Sequence, residues 1–133
     1  MISVSDEEFE SYVSSGMDAI PPKYIKNLNN VAFVVQDVPT EEQRVKLKLS
    51  EHQTLFGLYE GIPLTKRGTG YNLVLPDKIT IFKLPLEAVS NTPAELKEQV
   101  RHTVWHEVAH YYGLNHEQIH KLERPPNGSN DGK

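Results

Sequence analysis

Cysteine is absent from the 133 residues, which removes disulfides, thiolate metal sites and cysteine nucleophiles together. Any metal site in this chain is therefore built from imidazole and carboxylate. Long apolar runs are missing too. The longest, VAFVV at Val31–Val35, is far short of the ~20 residues that a membrane span requires. There is no basic excess: 14 Lys and Arg stand against 18 Asp and Glu, with a net charge of −4 and a pI near 5.8. No basic surface is left over to neutralise phosphates, so nucleic acid is not an expected partner, and neither is a membrane. The opening MISVSDEEFE has no basic region followed by an apolar core. The expectation is a cytoplasmic chain without a secretory leader, monomeric by default.

What is present fits one globular unit. Apolar residues make up 38% and charged residues 24%, ordinary proportions for a chain that buries a single core. One domain is expected over residues 1–123, followed by a disordered polar tail, RPPNGSNDGK, at 124–133. Ser5 ahead of Asp6-Glu7-Glu8 has the form of a capping box, and Phe9, Tyr12 and Val13 follow at helical spacing, so a helix is read over about 6–19. Pro21 and Pro22 stop it, with a short helical turn after them. NNVAFVVQDVP reads as a turn and a strand, and TEEQRVKLKLS as a short surface helix or a strand. FGLYEG reads as a strand leading into a long, glycine-punctuated loop, DKITIFK as another strand, and LPLEAV as a single helical turn. The best-signalled helix spans 93–112, with Thr92 as cap, Pro93 in the first turn, Glu95 closing the box and Gly113 at the end. A last short helix is read over 115–123. The expected fold class is α+β, a small mixed or antiparallel sheet covered by helices, with the helix of residues 93–112 packed beneath it.

Five of the 6 histidines lie between His102 and His120, in HTVWHEVAHYYGLNHEQIH. At ~100° per residue, Val100, Val104, Trp105, Val108, Ala109, Tyr111 and Tyr112 share one broad arc of the helix. His102, Thr103, His106 and His110 share the opposite narrow arc, with Glu107 at its flank. The helix is thus expected to be mostly buried, with a polar stripe of imidazoles where a solvated stripe would carry Lys and Glu.

His106 and His110 are one turn apart, so their rings can converge on one ion. Glu107 leaves the same turn at an angle, near the ion without having to ligate it. HEVAH therefore offers two ligands and a proton acceptor. Gly113 lets the chain turn sharply out of the helix, and His116, three residues on, can swing back as third ligand. Three protein ligands on zinc leave a position for water, the catalytic arrangement. His120 is the alternative third ligand. His102 lies one turn before His106, too far along the axis to share the ion comfortably, and reads as a histidine hydrogen-bonded at the rim.

HEVAHYYGLNH resembles the long zinc-binding signature of the metzincin metallopeptidases. Those proteins follow it with a methionine turn beneath the metal, whereas this chain has only Met1 and Met17, both far upstream. GLYEGIPLTKRG, LPDKITIFKLPL and VRHTVWHEVAHYYGLNHEQIHKLE more closely resemble the small bacterial zincin-like metallopeptidases, the minimal zincins, from about Leu55 to Glu123. Many members of that family carry aspartate where this chain has His116; either residue can ligate zinc. The resemblance implies a zincin-like fold, one zinc per chain and a peptide or protein substrate. On this reading zinc is held by His106, His110 and His116, and Glu107 is the general base in peptide hydrolysis. Tyr59, Tyr111 and His120 are candidates to stabilise the oxyanion. FGLYEG can pair with an extended substrate as an added strand. The rival readings are a zinc hydrolase of a non-peptide amide and a non-catalytic, zinc-stabilised binding domain.

Overall fold

A computed structural model describes residues 1–26, 28, 31–50, 54–61 and 77–114. The expected last helix at 115–123, the polar tail and most of the glycine-punctuated loop lie outside them.

The first helix, α1 (Asp6–Asp18), starts where Ser5 accepts the Glu8 N–H at 3.0 Å, and its first turn is wholly acidic, complementing the helix dipole. The Glu8 carboxylate does not close the box; it takes the Tyr12 hydroxyl instead. Phe9 and Val13, one turn apart, are the apolar residues that α1 buries. A short helix, α2 (Pro22–Lys26), follows the proline pair. The segment whose pattern allowed helix or strand is a helix, α3 (Glu41–Lys46). Thr40 and Gln43 form a reciprocal capping box there, and that local pairing decides the ambiguity.

Three strands form the sheet of the described residues: β1 (Val31–Gln36), β2 (Gly57–Glu60) and β3 (Asp77–Phe82), in the order β1-β3-β2. β1 runs parallel to β3 and β2 antiparallel to it, so the sheet is mixed. The central strand β3 is buried along almost its whole length although its sequence alternates, with the polar Thr80 buried between Ile79 and Ile81. The register puts Phe33 and Tyr59 beside Ile79, and Val35 and Gly57 beside Ile81. These residues share one face of the sheet.

That face meets the long helix α5 (Pro93–Tyr111), which enters the chain after the short helix α4 (Lys83–Ala88). Leu96, Val100, Val104 and Val108 of α5 join Phe9 and Val13 of α1 and Ile79 and Ile81 of β3 in one core cluster. Each large apolar side chain buried there stabilises the fold by about 1.5–3 kcal/mol. The long helix is therefore held between α1 and the sheet, with one stripe left for other uses. No helix among the described residues is long and apolar enough to cross a membrane.

Candidate metal centre

Local signals place α5. Thr92 accepts the Glu95 N–H at 3.1 Å, and Pro93 occupies the first turn, where its missing N–H is no loss. Glu95 reaches one residue further back than a capping box requires, accepting the Asn91 N–H at 2.7 Å. At the other end Gly113 adopts φ 75°, its N–H bonds to the His110 carbonyl at 2.9 Å, and the Leu114 N–H bonds to Ala109 at 3.1 Å. This is a Schellman termination, with Leu114 folded back against the core. The chain thus leaves the helix abruptly just beyond His110. His116 and His120 lie outside the described residues.

The histidine stripe is where the helical spacing puts it. His106 and His110 are half-buried, with ring centroids 4.7 Å apart and planes inclined by 72°. His102 is exposed and stacks on His106 from 6.4 Å. Ligand atoms of His106, Glu107 and His110 all lie within 4.8 Å of one another, a spacing compatible with a shared ion. Thr103 departs from the expected stripe: it is buried, and its hydroxyl bonds to the Gln99 carbonyl one turn back at 2.8 Å.

Glu107 is only 7% exposed, because its flank of the helix faces β2. Burial pushes its carboxyl up to about 7, and a hydrogen bond donated by the main-chain N–H of Tyr59 opposes that rise only in part. The geometry of β2 explains the bond. The Phe56 carbonyl takes the Phe82 N–H, so the amide groups of alternate residues 57 and 59 point to the opposite edge, away from β3. That edge faces Glu107.

Of the other expected participants, Tyr111 is fully buried, and its ring meets that of Tyr59 edge-on at 6.1 Å. The Tyr59 hydroxyl donates to Asp77 Oδ2 at 2.7 Å. Asp77, at 3% exposure, escaped notice in the sequence because a single acidic residue opening a strand carries no motif. Gly57 carries a weak signal, since glycine inside a strand often marks a close approach of another segment. A Cβ built on it would stand 2.7 Å from Thr103 Cγ2 and 3.0 Å from Glu107 Cγ.

The donor set suits a divalent transition metal. Two imidazoles converge beside a buried carboxylate whose pKa is raised by burial, and among the described residues no cation offsets that rise. A dication beside it would supply that missing positive charge, and imidazole nitrogen is a donor that zinc accepts. A family model described as zincin-like metallopeptidase matches residues 28–125, a span that includes all of α5 and both histidines beyond it. A search of curated proteins finds no match.

Proposed function

The chain belongs to the zincin-like metallopeptidases, and on that premise we propose that it hydrolyses peptide bonds, with Glu107 as the proton acceptor and donor of the reaction. The observation that carries this reading is the convergence of His106 and His110 beside a buried carboxylate. His106, His110 and His116 would hold one zinc, and residues 1–123 would form the single peptidase domain. Zinc held there supplies a Lewis acid that polarises a carbonyl and makes water more acidic.

The chain's own groups then have distinct tasks. Glu107 accepts the proton of the attacking water and delivers it to the departing amine. The Tyr59 N–H holds the carboxylate in one orientation. An extended peptide laid along the outer edge of β2 would place its scissile bond against α5, since that edge is the one turned towards Glu107. The walls of β2 and α5 around Glu107 limit the access of bulk water to it.

One substitution tests the proposal. Glu107→Gln keeps the side-chain volume and leaves the imidazoles untouched, so the variant should fold and retain its zinc. Cleavage of a peptide-library substrate should nevertheless fall by at least ~100-fold. A Glu107→Gln protein that cleaves as fast as the unmodified chain would overturn the mechanism, whatever its metal content.

A further inference from the structure

The strand β2 crosses α5 at a residue without a side chain. A Cβ on Gly57 would lie 2.7 Å from Thr103 Cγ2, 3.0 Å from Glu107 Cγ and 3.3 Å from the Thr80 carbonyl oxygen. Ordinary carbon–carbon contacts are about 3.5–4.0 Å. Any side chain at 57 would therefore force strand and helix apart by something approaching ~1 Å, or push Glu107 aside.

Thr103 cannot simply turn away. Its hydroxyl is tied to the Gln99 carbonyl at 2.8 Å, and a β-branched residue in a helix has few alternatives at χ1. The hydroxyl bond thus keeps the methyl aimed at Gly57. Two residues along β2, the Tyr59 N–H donates to the Glu107 carboxylate, and an N–H···O bond near ~2.9 Å weakens after a few tenths of an ångström. The contact at 57 and the bond at 59 lie on the same short strand, so the first sets the length of the second.

We propose that Gly57 and the locked methyl of Thr103 form a spacer that sets the separation of β2 from α5 and so positions the Glu107 carboxylate. Gly57 is then a positioning residue. It touches no substrate and acts through Glu107, and its catalytic importance rests on Glu107 being the proton acceptor.

The test is a compensating pair. In the metal-free protein, Gly57→Ala should lower the hydrogen-exchange protection of the Tyr59 amide at least ~10-fold. Zinc content should be unchanged, and kcat should fall by at least ~10-fold with little change in KM. Thr103→Ser removes the methyl while keeping the hydroxyl bond, so adding it to Gly57→Ala should restore much of both the amide protection and kcat. Should Gly57→Ala fail to fold, the double variant must fold and show a protected Tyr59 amide. A Gly57→Ala protein with full protection and full kcat would overturn the proposal, as would a double variant no better than the single. Failure of the proton-acceptor reading is separately visible, as undiminished cleavage by Glu107→Gln while the amide measurements still respond.

Discussion

The Tyr59 hydroxyl donates to Asp77 Oδ2 at 2.7 Å, while the main-chain N–H of the same tyrosine donates to Glu107. Its phenolic proton is thus engaged inside the fold by a buried carboxylate, and its ring meets that of Tyr111 edge-on. Tyr59→Phe leaves that carboxylate short of a donor, so it should destabilise the protein by about 1–3 kcal/mol in urea unfolding. Peptide hydrolysis should stay within about tenfold of the original, because the backbone bond to Glu107 survives the change. A drop of two orders of magnitude in kcat would instead return the hydroxyl to the oxyanion role.

The elevated pKa of Glu107 has a consequence for stability in the metal-free protein. The carboxyl titrates near 4.5 when unfolded and near 7 when buried, so between those values the unfolded chain binds fewer protons than the native one. Stability from this group is complete below about 4.5 and falls as pH rises towards about 7, by about 3 kcal/mol in all. Denaturation in the presence of chelator at pH 5 and pH 8 should show this loss. Glu107→Gln, which carries no charge at either pH, should abolish that part of the difference.

Zinc binding should be stoichiometric at one ion per chain and should be lost in His106→Ala and in His110→Ala. His116→Ala should weaken it strongly, while His102→Ala should leave the metal content unchanged, since His102 is exposed and stacks from 6.4 Å. Metal analysis of His116→Ala beside His120→Ala decides the third ligand: a fully loaded His116→Ala with an empty His120→Ala would transfer the role to His120.

Gly113 sits at φ 75° in the Schellman turn. An alanine there must adopt the left-handed region, which costs about 1–2 kcal/mol. Gly113→Ala should show that loss in unfolding of the metal-free protein, and Gly113→Asn should show less of it. If His116 is the third ligand, as proposed, zinc affinity should fall in the alanine variant beyond what the stability loss explains.

The parts of the molecule that were legible beforehand depend on neighbours in sequence. Thr92, Pro93 and Gly113 bracket α5 through contacts within four residues, and the one-turn spacing of His106 and His110 is a property of any helix. The strands followed from alternation and β-branched content, and the mixed α+β class from their number and order. Where two periods fitted equally, at Glu41–Lys46, the capping pair of Thr40 and Gln43 decided for helix. That pair lies in the sequence too, but its weight shows only once both hydrogen bonds are seen.

Tertiary structure decided what surrounds Glu107. Its place at the flank of the histidine stripe follows from the helical wheel. Whether that flank meets solvent or another element depends on a strand some fifty residues upstream. The Tyr59 N–H, the gap at Gly57 and the Tyr59–Asp77 pair all join segments far apart in the chain. The same holds for Thr103, which the wheel puts with the histidines but the sheet covers. Residue type and spacing alone brought His106, Glu107 and His110 together, because a helix fixes their relative positions within itself. The environment that tunes the carboxylate is a property of packing, since burial raises its pKa and a main-chain hydrogen bond from another strand opposes the rise, and neither is encoded near residue 107.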